Sequence, residues 1–258
     1  MTLTPAVLLL RLAGPLQSWG GSSEYNRRET RSQPTKSGVT GLLAAACGRR
    51  RDEPITDLVG LRMGVRVDQP GSLLRDYHTV SDHRGRPLPS SQVNATGRQK
   101  PTSPAKYTHV THRYYLQDAV FVVALQGPQG LIEGLGQALR NPAFPLALGR
   151  RSCPPSRPLP LGIRYGDDAR DLETALRTPH WQAADHQRRA TGPDVRLAAT
   201  LEDPDGDDTA TDVPLSFDLR TGGGLTTRII RHTWLTVPTG QPAAPTPATD
   251  HDPFALLG

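Results

Sequence analysis

Aromatic residues make up only 5% of this chain and apolar residues of all kinds only 36%. That composition does not provide for a core of long, thick helices. Cysteine is down to two, Cys47 and Cys153, too few for a disulfide framework or a four-thiolate zinc site, and they fit reduced thiols. No apolar run approaches the ~20 residues of a membrane span, so no membrane partner is expected. The apolar stretch from Ala6 to Leu10 is too short for a signal-peptide core, and no basic residue precedes it; a cytoplasmic location is expected. Also missing are a phosphate-binding loop with two glycines ahead of Gly-Lys-Ser/Thr, a Ser-His-Asp order and a paired-carboxylate site, so neither a cofactor nor a resident metal is expected.

Glycine and proline, by contrast, are plentiful at 25 each, which points to many turns and short strands. Positive charge is also unevenly placed. Residues 1–120 hold 17 Lys+Arg against 9 Asp+Glu, a balance of +8, whereas residues 121–258 hold 13 against 16, a balance of −3. A basic first half is the footprint of a phosphate-backbone binder or, more plainly, a solvated basic surface.

Periodicity divides the chain. Ala6–Leu12 reads as a short buried strand ended by Gly14-Pro15. Val39, Leu42, Leu43 and Ala46 recur at helical spacing, with Thr35 or Ser37 to cap the start and Gly48 to close the end. Leu61–Asp68 alternates as a half-buried strand. Residues 69–109 carry almost no core-forming side chains and read as a long excursion. Tyr114–Leu125 reads as a strand, and Leu131–Leu139 as a helix ended by Asn141-Pro142. That order suits an α+β fold of ferredoxin-like βαββαβ type with an inserted arm. Further strands are expected at Asp194–Leu201, Pro214–Leu219 and Leu225–Thr236, with an acidic turn at Glu202–Asp212 and a loose tail after Pro238. The expected organisation is 1–147 as the main domain, 148–237 as a basic loop and small β-rich extension, and 238–258 as a tail.

Several groups could carry chemistry. Lys36 lies at a helix N-terminus, where the helix dipole disfavours a cation unless an anion docks beside it. Thr35 and Ser37 supply hydroxyls there, and Gly38 permits close approach. A phosphate site and a capped helix with a solvated lysine both fit. Trp19, between Ser18 and Gly20, can stack on a base or fill a core. Arg27 and Arg28 lie on a polar basic loop, and Arg150, Arg151 and Ser152 follow Gly149 on another; each is a phosphate contact or a solvated loop. Asp76, His78, Asp82 and His83 lack any paired metal-ligand spacing, so RNA contact or plain surface is preferred there. Lys106, Tyr107 and His109 could supply a base and an electrostatic stabiliser for RNA cleavage through a 2′-hydroxyl, a pattern that also arises by chance in such loops.

These segments together resemble the CasD family of the RAMP superfamily. The resemblance is carried by Gly-Pro-Leu-Gln-Ser-Trp-Gly at 14–20, Arg28 and Thr30, and Pro-Thr-Lys-Ser-Gly-Val-Thr-Gly-Leu-Leu-Ala-Ala-Ala-Cys-Gly at 34–48. Arg-Asp-Tyr-His-Thr at 75–79 and Leu-Gly-Arg-Arg-Ser-Cys-Pro-Pro-Ser at 148–156 add to it. It implies a ferredoxin-like, RRM-like domain with a long β-hairpin thumb at about 75–113. It also implies a non-catalytic subunit of the type I-E CRISPR complex Cascade that grips the 5′ handle of the guide RNA and caps the backbone filament. The implied partners are the CRISPR RNA, the backbone subunit and the large subunit that reads the target's flanking motif, with target DNA met only through the complex. Carried onto this sequence, Thr35, Lys36, Ser37, Arg27, Arg28, Arg150, Arg151 and Ser152 would hold handle phosphates, and His78, Arg84, Lys106 and His109 would brace the RNA or the adjoining subunit. The loop at 149–152 stands where RAMP proteins carry a glycine-rich loop but has one glycine. Related subunits of type I-C systems cut RNA, so a metal-independent endoribonuclease is the alternative.

Overall fold

A computed structural model describes residues 5–21, 26–189, 191–218, 220 and 223–241. In chain order its strands are β1 Pro5–Ala13, β2 Leu16–Gln17, β3 Arg27–Arg28, β4 Arg62–Gln69, β5 Ser72–Ser81, β6 Pro89–Val93, β7 Gln99–Pro101, β8 Thr108–Gln117, β9 Val120–Pro128, β10 Pro160–Arg164, β11 Asp194–Glu202, β12 Asp208–Ser216 and β13 Gly224–Pro238. Its helices are α1 Lys36–Ala46, α2 Thr56–Val59, α3 Gln129–Arg140, α4 Leu172–Arg177 and α5 Asp185–Arg189. The class is α+β, mostly sheet with few helices. None of the described helices is long and apolar enough to cross a membrane.

Seven strands form one antiparallel sheet in the order β10-β1-β9-β4-β11-β13-β12. β1 is apolar almost throughout because both of its faces are covered. Leu8, Leu10 and Leu12 pack with Val39, Leu42 and Leu43 of α1 and Ile132, Leu135 and Leu139 of α3. Val7 and Leu9 point the other way, against Leu172, Ala175 and Leu176 of α4, Trp181, and Leu197 and Leu235 of β11 and β13. Each such leucine contributes ~1.5–3 kcal/mol through burial. The sheet is therefore the middle layer of three.

The long excursion after β4 is ordered by backbone pairing instead of a core. β5 and β8 run antiparallel from Ser72 opposite Gln117 to Ser81 opposite Thr108, and β6 and β7 form a second ribbon beyond them. β5 is exposed along nearly all its length, which is why apolar periodicity did not reveal it. Two sequence expectations need correction. Tyr114–Leu125 is not one strand: Asp118 adopts φ 55° and turns the chain between β8 and β9. The acidic turn is shorter than expected, since Asp208–Asp212 already belong to β12. Of the expected tail, residues 242–258 lie outside the described residues.

Candidate nucleic-acid interface

The start of α1 is built as the sequence suggests, but its anion comes from within the chain. Thr35 caps the helix by accepting from the Gly38 N–H at 3.2 Å, and Ser37 Oγ lies 3.3 Å from Thr35 Oγ1. The Lys36 N–H donates to Asp212 Oδ2 at 2.8 Å. Its ammonium meets both oxygens of Glu202, at 3.0 and 2.9 Å, and Arg228 holds Asp212 at 2.7 and 3.0 Å. Lys36 is 5% exposed. A phosphate at Lys36 would have to displace two internal carboxylates, so in this structure the helix start is ion-paired within the chain.

Trp19 is corrected as well. It is fully buried, and its indole N–H donates to Gln17 Oε1 at 3.1 Å. A Cβ on Gly38 would lie 2.8 Å from Trp19 Cε3, so the close approach that glycine permits is that of this indole rather than of a ligand. No face of the ring is left for a base.

The other basic residues converge where the β5–β8 pair leaves the main sheet. β3 lies parallel to β8, with Arg27 opposite His112 and Arg28 opposite Arg113. Alternation then sorts two faces. On one, Arg27 lies over the Tyr114 ring at 5.4 Å, and Tyr77 meets His112 edge-on with centroids 5.3 Å apart; Arg27 also pairs with Glu29 at 2.8 Å. On the other, Arg28 and Arg113 are neighbours, and Arg150 lies 4.9 Å over the Tyr115 ring while donating to the Arg28 carbonyl at 2.8 Å. Arg150 is placed by Gly149, at φ +86°, where a Cβ would sit 1.8 Å from the Ser18 carbonyl oxygen. The one glycine of this loop is thus required by the backbone.

That second face holds donors whose hydrogen-bonding capacity is unmet. Arg113 Nε and Arg150 Nη1 are buried donors without a hydrogen-bond partner, and among the described residues neither guanidinium forms an ion pair. Asp76 stands opposite Arg113 on β5 without pairing to it.

The remaining candidates spread outward. Arg151 and Ser152 are exposed on the loop beside Arg150. His78 and His109 are exposed on the same face of the β5–β8 pair as Arg113, at successive positions along that face. Arg84 and Lys106 are exposed beyond its end, their backbone N–H groups donating to Asp82 and Thr102 side chains. Among the described residues, no three His, Cys, Asp or Glu side chains converge as a metal site. Sequence reasoning missed Arg113, Tyr77, Tyr114 and Tyr115. The signal was present as the alternation of Thr111, Arg113 and Tyr115 against Val110, His112 and Tyr114, hidden inside a segment read partly as loop.

Comparison with known proteins bears on this arrangement. The family described as CRISPR-associated protein (Cas_Cas5) matches residues 7–229. The chain is 37% identical over 180 residues to the "CRISPR system Cascade subunit CasD" of Escherichia coli (strain K12), an alignment that covers 62% of this chain and 72% of that one. A solved chain of a "CRISPR RNA-guided surveillance complex" superposes with a TM-score of 0.71 at 37% identity, over 93% of this chain and 95% of that chain. A second solved structure, described as "Crystal structure of Cas protein", gives 0.62 at 36% identity, over 93% and 100%.

Proposed function

The chain belongs to the Cas5 family of CRISPR-associated proteins, and from that premise we propose that it is a non-catalytic RNA-binding subunit of a Cascade-type complex. It grips the 5′ handle of the guide RNA, caps the backbone filament beside the backbone and large subunits, and works in the cytoplasm. The observation that carries the reading is the face shared by Arg28, Arg113 and Arg150, on which Arg113 Nε and Arg150 Nη1 are buried donors without a hydrogen-bond partner among the described residues.

Two features of the fold support it. In β10-β1-β9-β4 the fourth, first, third and second strands of a βαββαβ unit stand side by side, with α1 and α3 on one face, the arrangement of a ferredoxin-like domain. Its other face, where an RRM-like sheet would stack bases, is covered here by α4 and Trp181. RNA is thereby directed to the arm root. The β5–β8 pair with its outer ribbon is the thumb, and His78, Arg84, Lys106 and His109 along it brace RNA or the adjoining subunit.

The test replaces Arg113 and Arg150 by glutamine in the assembled complex. Guide RNA retention is expected to fall, and the salt dependence of binding to flatten by about one unit of slope for each phosphate no longer neutralised. Unchanged retention with an unchanged slope would overturn the assignment. For the endoribonuclease alternative, Lys106, Tyr107 and His109 lie exposed along the arm and not around a cavity. Purified protein incubated with precursor repeat RNA in EDTA is expected to leave it intact; specific cutting beside the handle would reverse the reading.

A further inference from the structure

Trp234 is 56% exposed on β13, unusual for the largest side chain in a protein poor in aromatics. It forms one wall of a cavity of about 370 Å³ on the α1 side of the sheet, lined also by Gln33, Val67, Ala198, Thr200 and His232. That volume is at the lower end of the range of small-ligand sites, ~300–1,000 Å³. Arg196, from the neighbouring strand, lies 5.1 Å over the indole. Beneath it runs a chain of polar contacts: Gln33 Nε2 donates to Thr200 Oγ1 at 3.1 Å, Thr200 Oγ1 lies 3.0 Å from His232 Nδ1, and His232 Nε2 lies 3.1 Å from Asp208.

We infer that this cavity receives a single unpaired RNA base, stacked on Trp234 and read at its edge by the Gln33 amide. The chemistry favours a base over an apolar partner surface. Leu225 and Ile229, also exposed on β13, sit at alternate positions and face the other side of the sheet, so they do not extend the apolar lining around Trp234. Beside Val67, Pro70 and Ala198, its neighbours include a guanidinium, an imidazole, hydroxyls and an amide, so an apolar stacking floor meets polar groups at its edge. An indole flanked by arginine offers stacking of ~1–3 kcal/mol per base. Gln33 commits one N–H to Thr200, and an amide has a second N–H and a carbonyl oxygen for a base edge. The site is also continuous with the arm root. Gln33 is five residues beyond Arg28 on the same segment, a reach of at most ~18 Å, so one strand held at Arg28 can place a nearby base here.

The inference rests on the RNA-binding reading above, and the experiment separates the two. Complexes are assembled on synthetic guide RNAs carrying 5-iodouracil at one handle position at a time, irradiated, and the crosslinked peptides mapped by mass spectrometry. One handle position is expected to couple to Trp234. Trp234→Ala should abolish that crosslink and weaken RNA retention about tenfold, the effect of losing one stacked base, while Trp234→Phe should keep most retention. Handle crosslinks confined to peptides holding Arg28, Arg113 or Arg150 would overturn the base site and leave the RNA-binding reading standing. Crosslinks to no part of this chain would sink both. A photoreactive residue at position 234 that couples to a neighbouring protein subunit would overturn the site in favour of a protein contact.

Discussion

Arg66 and Asp68, two residues apart on β4, hold each other by two hydrogen bonds of 2.7 and 2.8 Å with both side chains wholly out of solvent. The pair fastens the covering segment to the sheet. Arg66 donates to the carbonyls of Leu176, Pro179 and His180 at 2.5, 2.8 and 3.2 Å, and Asp68 accepts from the Gln182 N–H at 2.6 Å. Removing one member strands a buried charge, which costs about 3–5 kcal/mol. Asp68→Ala is expected to lower stability by that amount in urea unfolding. Replacing both residues by apolar ones should cost less than the sum of the single changes, which a double-mutant cycle reads directly.

Lys36 and Arg113 should respond in opposite ways. Lys36→Met breaks a nearly buried ion pair with Glu202 and is expected to cost about 3 kcal/mol of stability. The folded fraction should keep its RNA affinity, because Lys36 is already neutralised internally. Arg113→Gln removes a guanidinium that forms no ion pair among the described residues, so stability should change little while RNA binding weakens by ~1.5–3 kcal/mol, typical of a hydrogen bond to a charged group. Chemical denaturation and RNA titration of both variants check this; a Lys36→Met protein of normal stability with lost RNA binding would restore the phosphate site at α1.

Acid should weaken the outer ion-pair network around α4. Hydrogen bonds from Arg177 and then Arg231 hold the Glu173 carboxyl below its ordinary value, and Arg231 does the same to Asp203. A depressed carboxylate adds stability that is complete above the unfolded value of about 4.3 for glutamate and disappears as pH falls through the folded one. Glu173→Gln should therefore be less stable than the parent at pH 7, by about 0.5 kcal/mol given solvent screening, and the two should converge once pH falls below the depressed folded value. Urea midpoints across that pH range measure it.

The two thiols should separate cleanly. Cys47 is exposed and Cys153 buried, and desolvation pushes both thiols up. One equivalent of a disulfide reagent is expected to react in the native state, faster as pH rises past the ordinary thiol value of about 8.5, and the second only on unfolding. Two fast equivalents would contradict the packing around Cys153.

The geometry at the root of the arm gives a backbone prediction. Gly149→Ala would drive a Cβ against the Ser18 carbonyl, so the loop must shift and carry Arg150 off Tyr115. RNA retention should fall nearly as far as in Arg150→Gln, with the rest of the sheet intact by circular dichroism. A Gly149→Ala complex with full RNA retention would show that Arg150 needs no such placement.

Much of this was legible in the sequence because it is local. Period and capping found β1, α1, β4, α3 and β11, since a buried stripe at 3.6 or an apolar run writes itself into consecutive residues. The motif blocks at 14–20 and 34–48 indicated the family. What local pattern could not decide was which charges meet. Lys36 at the head of a helix left a docked phosphate and a solvated lysine both open, and the ammonium instead meets Glu202, reached only when β11 folds back 166 residues later. Trp19 between small residues could stack on a base or fill a core, and α1 closing over it at Gly38 decides for the core. Arg28, Arg113 and Arg150 belong to three distant segments, collected only by the pairing of β3 with β8 and the packing of the Gly149 loop on Ser18. Electrostatic and packing partners are chosen by tertiary contact at long sequence separation, whereas secondary structure and family are set by short-range order. The sequence by itself therefore determined the α+β class, the main elements and the family; the folded sheet alone decided that the basic face lies at the root of the arm and not at the start of α1.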